Sequence, residues 1–351
     1  MFFRSQPIFQ PGSQPFRHCH AATLVEIPGG LLAAWFGGAH EGHADVAIWL
    51  ARGQDGHWDA PVKIAAVPGV PLWNPVLFRD RNGMVWLFYK IGPTEPAWTG
   101  ATIRSTDNGL HWSRPALLPA GLLGPSRNKP LTLSNGDILC GTSAETWQSW
   151  ACWVEISRDD GESWQRYGPI AFPTRYPQTV NAGQPVSGAW NETTNSLDLP
   201  NDFAGVIQPT VWEYAPGRLK MLMRATQQVG FICQSLSDDY GRTWTAPEPT
   251  NLLNPNSGID AVRLADGRIA LAYNPTQTER TPLAVALSED NGVTWPHQRL
   301  LESGPGEFSY PAIIQSGDGL LHVVYTHWRT TVQHAMMEVG WIEEKLPAVS
   351  R

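Results

Sequence analysis

The chain has 351 residues, 42% of them hydrophobic and 16% charged, with a net charge of −7. That length allows an ample core in one all-β unit. A net negative chain with no basic run is a poor partner for nucleic acid, whose phosphates call for clustered Lys and Arg. No stretch approaches the ~18 apolar residues of a membrane helix, so no membrane is expected as a partner.

In chain order, the opening segment MFFRSQPIFQPGSQPF carries prolines and polar residues where a signal peptide needs an apolar run. It predicts a cytoplasmic location, with secretion left open. Short alternating strands then follow one another, punctuated by a repeated turn. CHAATLVE at 19–26 and AAWFGG at 33–38 lead into the loop 37–45 (GGAHEGHAD), and a shortened turn ends at Asp55-Gly56-His57-Trp58. WNPVLF and LFYKIG precede the first full turn, STDNGLHW at 105–112. GDILC at 136–140 precedes the second, SRDDGESW at 157–164. The stretch 173–202, rich in Pro, Asn, Thr and Gly, lacks strand alternation. LKMLM at 219–223 leads to SDDYGRTW at 237–244, and LAVAL at 283–287 leads to SEDNGVTW at 288–295. FSYPAIIQ at 308–315 opens the last segment, and helical periodicity is almost absent.

The four full copies share Ser-x-Asp-x-Gly-x-x-Trp. Asp107 and its counterparts can accept backbone N–H groups and close an Asx-type turn, while Gly109 and its counterparts supply φ > 0. The closing Trp packs back between neighbouring sheets. These aspartates are consumed by the turn and are structural. The closing tryptophans fall at 58, 112, 164, 244 and 295. Most gaps are about 50 residues, one four-stranded blade each. The gap of 80 between Trp164 and Trp244 is read as a loop insertion at 173–202, a hidden seventh blade being the alternative. Five boxed blades and an unboxed last one at about 303–345 predict an all-β, six-bladed β-propeller spanning 1–351 as one domain. The extreme N-terminus is expected to add a strand to the last blade and close the ring.

Polar residues recur where inner strands should start, next to the central axis: His20, Trp73, Asn74, Lys90, Asn128, Lys129, Asn256 and Asp260. Such a set can line a polar pocket. Lys129 offers a cation to an acidic substrate, and His20 a base. The four cysteines show no metal-ligand spacing and read as free buried thiols. Neither His18 with His20 nor His40 with His43 repeats a metal motif, so no metal and no cofactor is expected.

Repeated Asp boxes on a propeller resemble the sialidase (neuraminidase) superfamily over nearly the whole chain. CHAATLVE, AAWFGGAHEG, WNPVLF, LFYKIG, NPNSGID and FSYPAIIQ together are similar to the sialidase-like Asp-box (BNR) repeat proteins of bacteria and plants. The resemblance implies three arginines that clamp a substrate carboxylate, a tyrosine nucleophile activated by a glutamate, and an acid on a loop. Arg224 and Arg280 match the second and third arginines, and Tyr310 the nucleophile. Glu41 aligns with the acid, and Asp45 is its understudy.

Two positions depart from that pattern. The first arginine should open blade one, where the register places Cys19-His20-Ala21; Arg17, on the same strand face as residue 19, is the substitute. The activating glutamate maps to Gln208, which can hydrogen-bond Tyr310 but takes no proton, while Glu213 points to the opposite strand face. The reading is an exo-glycosidase that removes a terminal acidic sugar (sialic, another ulosonic or uronic acid) with retention. Its expected partner is an acidic carbohydrate or glycoconjugate. A polysaccharide lyase acting at a uronic acid, with His20, Tyr310, Arg224 and Lys129 as its set, and a non-catalytic glycan-binding propeller are the alternatives.

Overall fold

The computed structural model describes residues 1–146, 149–173, 189–191, 196–198 and 203–344. Strand alternation builds six antiparallel sheets arranged as a six-bladed propeller. Blade one holds His18–Ile27, Gly30–Gly38 and Ala47–Gln54, with His57–Trp58 and Val62–Ala65 along its outer edge. Blade two is Leu72–Arg79, Val85–Ile91, Thr99–Ser105 and Ala116–Leu117; blade three is Leu131–Thr132, Ile138–Thr146, Ser149–Ser157 and Gln165–Ile170. Blade four is Val206–Ala215, Arg218–Ala225, Phe231–Ser237 and Glu248–Leu253; blade five is Asp260–Arg263, Ile269–Tyr273, Leu283–Ser288 and His297–Glu302. Blade six is Phe308–Gln315, Leu321–His327 and Thr331–Met337, completed by Phe3–Pro7 from the N-terminus. Within 173–202 only a short ladder, Ala189–Asn191 with Ser196–Asp198, is described, so most of the expected insertion lies outside the described residues. Among the described residues no helix is long and apolar enough to cross a membrane.

The boxes staple blade to blade. In each, the Ser hydroxyl accepts the Gly N–H and the Asp carboxylate accepts the N–H four residues on, at 2.8 and 2.9 Å for Ser105–Gly109 and Asp107–His111. The same bonds recur at Asp159, Asp239 and Asp290, and hydrogen bonds hold these carboxyls below the usual carboxylate range. Gly241 has φ 83°, and a Cβ there would sit 2.6 Å from Leu139 of blade three. Only glycine satisfies both the left-handed backbone and that close approach. Register places the boxes at one end of each sheet: Ser157 pairs with Ile138, while Thr146 pairs with Ser149 at the other.

The ring closes through Phe3–Pro7, whose ladder with the last strand runs from Phe3–Met337 to Pro7–Gln333. A buried polar chain crosses the same seam. Trp58 Nε1 donates to His334 Nδ1 (3.2 Å), which leaves His334 Nε2 to donate to His322 Nδ1 (3.0 Å). His322 Nε2 then donates to Ser316 (2.9 Å), whose hydroxyl donates to Asp318. Every link requires a neutral imidazole. Burial holds His322 below the usual range and pushes His334 down to about 3.

At the axis, Asp260 ties four blades together. Its carboxylate accepts Lys129 Nζ of the blade-three segment (2.8 Å), Thr210 of blade four (3.0 Å) and the Ile313 N–H of blade six (2.9 Å). Lys129 and Asp260 were expected to line a binding pocket. The structure instead spends both charges on each other, with Lys129 also donating to Ala261 O. All four cysteines are free and buried.

Candidate functional site

The inner strands lose register where they reach the axis. Breaks fall between His20 and Thr23, Trp73 and Val76, Ile207 and Thr210, and Ser309 and Ala312. At these bulges Ala21, Asn74, Gln208 and Tyr310 adopt φ of 55°, 40°, 53° and 52°. Three of them precede proline (Pro75, Pro209 and Pro311), which has no N–H to give the ladder, so pairing skips there. A bulge re-aims side chains that strict alternation would send elsewhere. The result is a cavity of about 380 Å³ lined by residues from all six blades.

Tyr310 is its centre. Arg224 Nη1 donates to the Tyr310 hydroxyl and to Gln208 Oε1 (3.0 Å), and Arg224 Nε donates to Asn256 Oδ1 (2.6 Å). Gln208 therefore holds the arginine rather than the phenol. The guanidinium carbons of Arg127, Arg224 and Arg280 lie 5.2–5.4 Å from the Tyr310 ring centroid, so negative charge building on the phenol oxygen meets three cations. Arg127 is fully buried behind the ring, donates to the Tyr310 and Pro311 carbonyls, and is pushed down to about 10 by burial. Arg280 and Arg329 share Glu307, at 3.0 and 2.8 Å. Against burial, its bonds to Arg329 and Arg280 hold the Glu307 carboxyl below the usual range.

His20 packs on Tyr310 with ring centroids 4.1 Å apart and binds Thr326 through Nδ1 at 2.8 Å. It is 2% exposed, and among the described residues its Nε2 has no partner. Burial and the charges of Arg329, Arg280, Arg127 and Arg224 hold it well below the usual imidazole range, so it is neutral.

A further arginine of the cavity is Arg329, which sequence reasoning missed. It lies in the turn after Leu321–His327, where Trp328 and Arg329 take φ of 56° and 54°. Its carbonyl accepts the Cys19 N–H at 2.7 Å, so it enters the cavity beside the position where the resemblance expects an arginine. Arg17 does not reach the cavity. It is exposed just ahead of the strand His18–Ile27, whose Cys19 face packs into the core behind blade one while His20 on the opposite face turns to the cavity.

The other expected residues divide the same way. Glu41 lines the cavity and pairs with Arg329 at 2.5 Å; Asp45 is outside it, accepting the Ala39 N–H (3.0 Å) and His43 (2.7 Å) to shape the loop. Trp73 and Asn74 line the cavity, with Trp73 Nε1 bound to Gly92 O. Lys90 and Asn128 stand behind it, bound to the Pro125 and Gln208 carbonyls; burial pushes Lys90 down to about 7. Glu213 is also outside, capping the Ser134 and Gly217 N–H groups.

Glu95, Pro96, Trp98, Glu145, Thr146 and Trp150 complete the lining and were also missed. Glu145 is the penultimate residue of the strand Ile138–Thr146 and is half-buried. Burial pushes it up to about 7 against the pull of Arg224, with Glu95 and Glu41 adding to the rise. Burial raises Glu95 in the same way, and Glu41 again adds. Among the described residues, the group close enough to share a metal ion is Glu289, His297 and Glu343, none of which lines the cavity.

Comparison with known proteins places the chain. The model of the BNR repeat-like domain matches residues 29–323. A protein of unknown function from Dyadobacter fermentans is similar with a TM-score of 0.75 at 18% identity, over 96% of this chain and 99% of that one. The Hadza microbial sialidase Hz136 is similar with a TM-score of 0.73 at 18% identity, over 96% and 69%. The NanB sialidase of Streptococcus pneumoniae gives 0.73 at 14% identity, over 96% and 71%. Comparison with curated proteins found no match. The chain belongs to the BNR repeat-like domain family and carries the propeller fold of the sialidases.

Proposed function

We propose that the protein is an exo-acting glycosidase that removes a terminal acidic sugar with retention through a covalent intermediate on Tyr310. The observation that carries the reading is the convergence of Arg224, Arg280 and Arg329 with Tyr310 in one cavity. Planar guanidinium groups match a carboxylate with paired, charge-assisted bonds, and Glu307 fixes two of them in advance. With the carboxylate seated there, the anomeric carbon faces the phenol oxygen. Gln208 supplies no base, so neutral His20, packed on the ring, is the group available to take the phenolic proton. Substrate carboxylate draws Arg329 away from Glu41, which takes up a proton from solvent and then passes it to the leaving oxygen. Water resolves the intermediate.

One observation favours a second reading. A neutral His20 beside Tyr310, with no glutamate base for the phenol, also suits β-elimination at a uronic acid, with His20 removing the proton and Tyr310 protonating the leaving oxygen. The test is a screen of the purified protein against fluorogenic glycosides of sialic, other ulosonic and uronic acids, alongside uronide polysaccharides followed in the ultraviolet. Turnover of an acidic glycoside, lost in Tyr310→Phe, supports the hydrolase. New ultraviolet absorbance identifies the lyase, and silence from a folded sample leaves a sugar-binding propeller.

A further inference from the structure

Charge in the cavity is sorted by blade. Glu41, Glu95 and Glu145 come from blades one, two and three, whereas Arg224, Arg280 and Arg329 come from or directly precede blades four, five and six. In a six-membered ring these are two halves, so a field runs across the mouth. A sugar carboxylate accounts for the arginine half alone. In the other half, Glu41 is matched by Arg329 across the seam. Glu95 and Glu145 have no ion pair and accept no side-chain hydrogen bond among the described residues. Every tryptophan of the lining (Trp73, Trp98 and Trp150) stands in this acidic half as well. Carboxylates set among aromatic faces favour a cation.

A second, independent feature shows that the cavity is built for a polar ligand. His20 lines the cavity and is 2% exposed, and its buried Nε2 has no partner among the described residues. Like-charge crowding points the same way. Glu95 and Glu41 both add to the rise of Glu145, and Glu41 adds to that of Glu95; a bound ammonium relieves this crowding and favours the ionised forms.

We propose that the ligand is zwitterionic: an acidic sugar whose carboxylate lies on Arg224, Arg280 and Arg329 and whose free, protonated amine lies on Glu95 and Glu145 beside Trp98 and Trp150. The inference rests on the acidic-sugar reading of the same site and adds the second charge. An acylated nitrogen at that place would set a neutral amide against two carboxylates. Glu145 is accordingly the residue that discriminates an amine from its amide.

Calorimetric binding of three methyl glycosides tests this: neuraminic acid with its amine free, its N-acetylated form, and the deaminated form bearing a hydroxyl. The free amine should bind about tenfold or more tighter than the acetamide. Its affinity should rise with pH through about 7, as Glu145 ionises. Glu145→Gln should remove both the preference and that rise. Arg280→Ala should weaken all three alike, since it reports the carboxylate clamp. Tighter binding of the acetamide or the hydroxyl form overturns the inference and leaves the acidic-sugar reading standing. No binding of any of the three, or of the corresponding amino and acetamido uronides, overturns both.

Discussion

The two ends of each blade are built on opposite principles. At the box end, four turns repeat the same residues with the same bonds, from Ser105–Gly109 to Ser288–Gly292. At the axial end, the same bulge position carries a different side chain in four blades, Ala21, Asn74, Gln208 and Tyr310, and His20 stands beside the first of them. Repetition serves stability, because each box solves one local problem of turn closure. Divergence serves chemistry, because a cavity needs unlike groups facing one another. Substitutions at one end should therefore move folding, and at the other turnover.

Tyr310→Phe should sharpen the contrast most. Turnover of an acidic glycoside should fall at least about 10³-fold, while the thermal midpoint moves by only a few degrees. Asp260 breaks the simple division, since it sits at the axis yet binds four blade segments together. Asp260→Ala should destabilise by about 3–5 kcal/mol in denaturant unfolding, because Lys129 is left without its partner.

The seam gives a pH signature of intermediate size. His334 is pushed down to about 3 when folded, against an ordinary imidazole value of about 6.5, so below that value the unfolded chain binds more protons. Stability should be lost as pH falls, by on the order of 2 kcal/mol between pH 7 and pH 5, and His334→Gln should flatten that dependence. A single box matters less: Asp290→Ala should cost about 1–2 kcal/mol by the same unfolding assay with activity retained. Smallest of all, Asp45→Asn should change kcat/KM by less than about twofold, since Asp45 only shapes the loop.

The same contrast explains what was legible in the sequence. The boxes bond within seven residues of chain, so spacing alone revealed them and counted the blades. Tyr310, Arg224, Arg280, Glu41 and Gln208 could be placed by resemblance because each keeps its station relative to a box. Arg17 and Lys129 were misplaced by arguments of strand parity and charge, which ignore a one-residue shift of face and a buried partner. The recurring X-Pro pairs Asn74-Pro75, Gln208-Pro209 and Tyr310-Pro311 were a readable mark of the bulges that build the cavity. Arg329 carried no such mark: it reaches the site through a left-handed turn and a hydrogen bond to Cys19, more than 300 residues away in sequence. Glu95 and Glu145 likewise become site residues only when the ring closes.

On the proposed function, Arg329 completes the carboxylate clamp from the last blade. The most direct test measures affinity for one acidic glycoside in Arg329→Ala and Arg17→Ala side by side. The expected loss is about 10²-fold for Arg329→Ala and less than about twofold for Arg17→Ala. Unchanged binding in Arg329→Ala, with the loss falling on Arg17→Ala, would contradict it.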